Sequence, residues 1–153
     1  MQLSRFTDYA VRVLIYAALY PERLITLAEV SEFYAVSFDH LRKVVHQLAT
    51  KGYLTTFRGK NGGLRLARDA SEINMGVLIA DMEGVEPLID CVGLSCKVLP
   101  VCALPAALKK AQQAFYDELQ QYSLADMIKK KQLSEIMGND NVLGSDKIVT
   151  TPR

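Results

Sequence analysis

Histidine is scarce in this sequence: 153 residues contain two, His40 and His46. They stand six residues apart in a stretch read below as one helix, so they do not share a face and joint metal ligation by the pair is disfavoured. Ser-His-Asp or Cys-His catalysis would have to use one of these two, and no nucleophile motif accompanies either, so the chain does not read as an enzyme. Long apolar runs are missing too. Residues 1–20 open without a basic run, interrupt their apolar stretch with Asp8 and Arg12 and lack a small-residue cleavage site. Neither a signal peptide nor a membrane span fits, and a cytoplasmic location is expected. Cysteine is limited to Cys91, Cys96 and Cys102. An odd number crowded into one segment argues against a secreted disulfide framework and for a metal or redox site in a reducing compartment.

Net charge is nearly absent, at +1, but it is unevenly spread. Between residues 37 and 65 six basic residues (Arg42, Lys43, Lys51, Arg58, Lys60, Arg65) face one acidic residue, Asp39, a net of +5 that leaves −4 for the remainder. A basic segment inside an acidic remainder reads as the footprint of a polyanion. The hydrophobic content of 50% suffices for the core of one compact domain with an appended element.

Phe6, Ala10, Val13, Leu14 and Ala17 recur at helical spacing and predict a first helix over 4–20, closed by Pro21. Thr26 followed by Glu29 forms a capping box, and Ile25 with Val30 a hydrophobic staple, so a second, short helix is expected to run to about residue 34. Ser37 is the expected N-cap of a third, with Val36 and Leu41 as its staple and Leu41, Val44, Val45 and Leu48 as its apolar face. Two helices joined by a three-residue turn make a helix-turn-helix. After Gly52 the period changes: 53–57 and 64–67 are β-prone runs joined by a basic loop whose Asn61-Gly62 pair suits positive φ. A basic hairpin directly after a helix-turn-helix is a wing. The loop lacks the spacing of a nucleotide-binding phosphate cradle.

A short helix is expected over 75–82, then an irregular stretch through the cysteines. Leu104, Leu108, Ala111, Phe115, Leu119 and Tyr122 then form a near-heptad stripe on a helix over 104–122, read as a homodimer interface because the preceding elements already complete a small domain. Ser123 and Asp126 cap one more turn. The expected fold is therefore mainly α with a small β-hairpin: a winged helix-turn-helix domain (1–70), a short helix and cysteine loop (71–103), a dimerisation helix and cap (104–130) and a flexible tail (131–153).

On the third helix the residues opposite the apolar face point outward. Ser37, Phe38, Asp39, Arg42, Lys43 and His46 are the expected contacts to double-stranded operator DNA in the major groove, with Arg58, Lys60, Asn61 and Arg65 of the wing on the backbone or minor groove. Cys91-x4-Cys96-x5-Cys102 is wider than the pairs of a zinc knuckle, and no fourth Cys or His lies near in sequence. Three soft thiolates on a wide loop suit an iron-sulfur cluster completed by a ligand from elsewhere, and a metal-free thiol redox switch is the competing reading.

Leu3-Ser-Arg-Phe-Thr-Asp-Tyr-Ala10, Arg58-Gly-Lys-Asn-Gly-Gly-Leu-Arg-Leu-Ala67, the cysteine loop and Tyr122-Ser-Leu-Ala-Asp126 together resemble the small winged-helix iron-sulfur repressors, most closely their nitric-oxide-sensing branch, over about residues 1–130. Regulators of cluster biogenesis, a sister branch, usually have five residues in both cysteine gaps and a histidine three residues after the last cysteine. Here the first gap has four and Pro105 occupies that site. The resemblance implies a homodimeric repressor with a 4Fe-4S cluster (a 2Fe-2S form being the alternative), nitric oxide as the signal, and a fourth, carboxylate ligand matching Asp8, supplied across the dimer. Taken alone, Asp8 is a first-turn aspartate meeting the helix dipole. As a hard ligand on soft iron it would be weakly held, leaving an iron accessible to a small molecule.

Overall fold

The structure, a computed structural model, describes residues 2–128; the tail expected over 131–153 lies outside the described residues. Helix α1 (Arg5–Leu19) starts at Ser4, whose hydroxyl accepts from the Thr7 N–H at 3.2 Å. The predicted periodicity becomes packing: Ala10, Val13, Leu14 and Ala17 are buried on one face, and Thr7 is buried with them. Helix α2 (Leu27–Tyr34) opens with the expected capping box. The Glu29 N–H donates to Thr26 Oγ1 at 3.2 Å and the Thr26 N–H to Glu29 Oε2 at 2.6 Å. Ile25 and Val30 are both buried, as a staple requires.

The turn into α3 (Phe38–Thr50) places Ala35 in the left-handed region, at φ 51° and ψ 43°. An L-residue there costs about 1 kcal/mol or more. The Val36 N–H to Ser31 carbonyl bond (3.1 Å) and the Ser31 hydroxyl to Val36 carbonyl bond (2.7 Å) offset that cost and fix the angle between the helices. Ser37 occupies the expected N-cap position of α3, but its side chain makes no capping bond. Asp39 in the first turn supplies the negative charge that this helix end favours.

Strands β1 (Leu54–Phe57) and β2 (Gly63–Leu66) pair antiparallel, Leu54 opposite Leu66 and Phe57 opposite Gly63. Ile25 extends this hairpin by exchanging backbone bonds with Leu64 at 3.0 and 2.8 Å, anchoring the wing to the start of α2. One expectation needs correction: positive φ falls at Gly59 (105°), not at Asn61-Gly62. The chain reverses through a turn closed by the Gly62 N–H on the Gly59 carbonyl at 3.0 Å. Gly62 is needed there for space, since a Cβ would collide with the carbonyl oxygens of Phe57 and Gly59.

Helix α4 (Met75–Glu83) crosses beneath α1, and α5 (Leu104–Leu119) packs on α4. Asn74 serves both: its Oδ1 accepts from the Val77 N–H at 3.1 Å, and its amide donates to the Gln120 carbonyl, past the end of α5, at 2.6 Å. Helix α5 stops short of residue 122 because the following segment bonds elsewhere. The Tyr122 carbonyl accepts from Met75 at 2.9 Å and the Leu124 N–H donates to Ile73 at 2.8 Å. Ser123 and Asp126 then cap a 3₁₀ turn (Ala125–Met127) as expected, the Ser123 hydroxyl donating to Asp126 at 2.6 Å. Leu14, Ile25, Leu41, Leu48, Tyr53, Leu64, Leu78 and Leu124 bring helices, wing and final turn into one core. The fold is mainly helical with a two-stranded antiparallel hairpin, a winged helix-turn-helix.

Helices α4 and α5 meet at Gly76, where a Cβ would stand 2.6 Å from the Tyr116 carbonyl and 2.7 Å from the Gln120 nitrogen. Gly to Ala inside a helix ordinarily stabilises by about 0.5–1 kcal/mol. Here the close backbone approach inverts the sign: Gly76→Ala is expected to lower the urea midpoint, by a destabilisation of about 1–3 kcal/mol, and a raised midpoint would contradict this packing.

Candidate functional site

The exposed face of α3 carries Ser37, Phe38, Asp39, Arg42, Lys43 and His46, every one solvent-accessible, while Leu41, Val44, Val45 and Leu48 face the core. Asp39 and Arg42 pair loosely at 3.4 Å with both side chains more than two-thirds exposed, so the pair contributes little and leaves Arg42 free to exchange partners. In the wing Arg58, Lys60 and Asn61 are exposed around the turn. Arg65 differs: it lies on β2, its guanidinium 5.1 Å from the centre of the Phe57 ring, which restrains it at the stem. The wing is tied to the body by Asp81 of α4, which accepts from the Tyr53 hydroxyl at 2.6 Å and from Lys51 at 3.1 Å. Burial disfavours ionisation of both partners; for Asp81 the two bonds outweigh it and its pKa falls, whereas burial and Asp81 together raise that of Tyr53.

The cysteine loop hangs from the end of α4 at Gly84, whose carbonyl accepts from the Tyr116 hydroxyl at 2.9 Å. The loop is a succession of short turns: Cys96 N–H to the Cys91 carbonyl (3.0 Å), Leu99 to Cys96 (3.2 Å) and Cys102 to Leu99 (3.3 Å), the last two framing a 3₁₀ turn (Leu99–Val101). These bonds chain the three cysteines to one another. All three are half-buried. The Cys91 thiol is raised above its ordinary pKa, first by burial and then by the neighbouring Cys96, Cys102 and Asp90.

Around the thiols stand Val92, Leu94 and Val101, between 77% and 87% exposed. Large exposed apolar side chains close together in sequence are common on interaction surfaces. Three adjacent thiols with no nearby histidine fit the donor set of an iron-sulfur cluster. Among the described residues no group of three or more His, Cys, Asp or Glu is gathered tightly enough for a single metal ion.

Asp8 lies on α1, 43% exposed, and both its oxygens accept from Arg12 Nε at 2.9 and 3.0 Å. That bond raises the Arg12 pKa. Within one chain Asp8 is therefore a paired surface carboxylate, and the structure does not gather it with the cysteines.

The α5 stripe is divided. Phe115 and Leu119 pack against the chain's own core, Leu108 is half-buried, and Leu104, Ala111 and Tyr122 are exposed. The α5 residue that penetrates deepest is Tyr116, 8% exposed, which the stripe did not include. Between α5 and residues 85–89 lies an open cavity of about 450 Å³ walled by Val85, Leu88, Leu108 and Tyr116.

Sequence reasoning also missed Glu83. Its carboxylate receives the Ser4 N–H (3.0 Å to both oxygens), the Ser4 hydroxyl (2.9 Å) and the buried Thr7 hydroxyl. Burial opposes its ionisation, but these donors outweigh burial and its pKa is lowered. The last residue of α4 thus holds the first turn of α1, a contact across 79 positions that no local pattern signals.

Comparison with known proteins matches residues 3–130 to the family profile Rrf2, described as an iron-dependent transcriptional regulator. Among similar solved structures, T. potens IscR shares 22% identity at a TM-score of 0.69, covering 88% of this chain and 91% of its own. CymR (YrzC), the global cysteine regulator of B. subtilis, shares 20% at 0.67, covering 83% and 95%. The oxidized form of Staphylococcus aureus CymR shares 23% at 0.68, covering 84% and 97%. At these identities the likeness establishes a common fold.

The exposed basic residues generate a separable expectation. Lys60→Ala should weaken binding to all duplexes and flatten the log-log salt dependence by about one unit for each subunit bound, whereas Arg42→Ala should erode sequence preference. Anisotropy titrations over a salt series would contradict this placement of the wing if Lys60→Ala kept the wild-type slope.

Proposed function

This chain belongs to the Rrf2 family of transcriptional regulators, and from that premise we propose that it is a homodimeric, cytoplasmic repressor, similar to the nitric-oxide-sensing NsrR type. In this reading it binds operator DNA and carries a 4Fe-4S cluster on Cys91, Cys96 and Cys102. The observation that carries the proposal is a single loop that bears all three half-buried cysteines, their backbones linked by successive turns, and that is rooted beside Glu83, the residue that holds α1. The helix-turn-helix and wing support DNA as the partner. Helix α3 enters the major groove with Arg42 toward base edges and Lys43 at the flank of the groove, and Arg58 and Lys60 take backbone phosphates.

When bound, the cluster supplies iron to which nitric oxide attaches directly. The chain's own residues do the rest. Cys91, Cys96 and Cys102 hold the group on the loop, and Asp8 of the partner subunit completes the ligand set from α1. Arg12, already on that carboxylate, neutralises its charge and orients it. The collar of Val92, Leu94 and Val101 is covered by the second subunit, as is the exposed part of the α5 stripe. Since Glu83 joins the root of the loop to the start of α1, and α1 packs on α3, a change in the loop reaches the spacing of the two recognition helices. These read half-sites about 34 Å apart or a multiple of it. A coupling of about 1–3 kcal/mol suffices to switch occupancy near the midpoint.

A second reading, a metal-free thiol switch, draws on the placement of Cys91 and Cys96 in one backbone turn and on the similarity to a CymR structure described as oxidized. Colour separates the two. Anaerobically purified protein should be brown with absorption near about 400 nm, from iron-thiolate charge transfer. Cys96→Ala should lose both colour and iron. Colourless, iron-free protein with intact thiols and operator binding would establish the thiol switch instead. For the dimer, Ala111→Asp, exposed in the single chain, should yield folded monomers by light scattering and circular dichroism; a monomeric wild type in its DNA-binding state would end this part of the reading.

A further inference from the structure

A second basic concavity lies beside the recognition helix, and none of the expected DNA contacts except Lys43 belongs to it. Arg5, Phe6 and Tyr9 of α1 face His40, Lys43 and Val44 of α3 across a cavity of about 240 Å³. The Tyr9 and His40 rings stack with centroids 6.4 Å apart and planes inclined by 29°, which fixes the imidazole on the wall. Neither Arg5 nor Lys43 forms an ion pair among the described residues. Of the carboxylates on α1, α3 and the end of α4, Asp8 is held by Arg12 and Glu83 by Ser4 and Thr7, and Asp39 pairs loosely with Arg42.

Two cations without an ion-pair partner among the described residues, and an imidazole able to donate a hydrogen bond, line one hollow. The arrangement is favourable when an anion enters. Lys43 follows Arg42 on the exposed side of α3, so the hollow opens where the flank of a bound duplex would run.

We propose that this hollow is a phosphate clamp for the DNA backbone, with Arg5 of α1 and Lys43 and His40 of α3 closing on one phosphodiester beside the groove that α3 reads. The inference rests on the DNA-binding reading above and extends it: α1, which carries Asp8, touches DNA directly. Arg5 and Asp8 are one helical turn apart, so a displacement of α1 from the cluster side shifts a phosphate contact as well as the pose of α3.

The test is a salt series of anisotropy titrations on a duplex of arbitrary sequence, using the full-length dimer. Arg5→Gln, which removes one contact from each of the two subunits, is expected to lower the log-log salt slope by about 1.8, which corresponds to about sixtyfold weaker binding at 0.1 M salt. Arg5→Lys should keep most of the slope, and Lys110→Gln, which removes the same charge from α5, should leave it unchanged. A scan of single methylphosphonate linkages then locates the contact. One neutralised position should cost the wild type affinity while costing Arg5→Gln nothing further. Unchanged slope and affinity in Arg5→Gln, with Lys60→Ala weakened, would overturn the clamp and leave the DNA-binding reading standing. Absence of duplex binding by the wild type would overturn both.

Discussion

The rest of the structure depends on the carboxylate of Glu83 meeting the first turn of α1. A helix start leaves backbone N–H groups unsatisfied, and a negative charge placed there gains from both hydrogen bonding and the helix dipole. Ser4 supplies a backbone N–H and a hydroxyl, and Thr7, buried in the core, supplies a second hydroxyl that would otherwise lack a partner of this strength. Because Glu83 ends α4 and Gly84 begins the cysteine loop, this polar contact joins the element that carries the thiols to the element against which the recognition helix packs. The lowered pKa of Glu83 means that its contribution is present above the ordinary carboxylate range and fades as pH falls through its folded value.

From that joint the remaining geometry follows outward. Helix α1 packs on α3 through an apolar face, so the pose of the exposed residues of α3 is set by a helix contact and not by a loop. Asp81 holds the base of the wing through Tyr53 and Lys51 from the same helix α4 that ends in Glu83. Helix α5 closes against α4 at Gly76 and reaches over to Gly84 with the Tyr116 hydroxyl. One short helix therefore contacts the foot of the wing, the first helix and the long helix, and leads directly into the cysteine loop.

Much of this was legible in sequence because it is local. The Thr26–Glu29 box, the Ile25–Val30 staple, the periodicity of α1 and α3 and the basic hairpin all express interactions among residues within one or two turns, and each formed where the pattern placed it. The misses share the opposite character. Glu83 and Tyr116 act through partners 79 and 32 positions away. The early end of α5 reflects competition from the backbone of residues 73–75. Positive φ moved to Gly59 because the chain, already turning between 59 and 62, needed Gly62 for clearance. The cysteine spacing pointed to one loop that carries all three thiols; the proposed ligand across a dimer leaves no trace in one chain's geometry, where Asp8 is satisfied by Arg12.

The central claim is that the state of the cysteine loop governs the grip on DNA through α4 and α1. Its most direct test is an anaerobic mobility-shift titration of one operator fragment with three forms of the same preparation: iron-loaded, iron-stripped and nitric-oxide-treated. The account predicts tight binding by the loaded form and at least about fivefold weaker binding by the other two, the low end of the coupling range. Equal affinity of all three forms would contradict it.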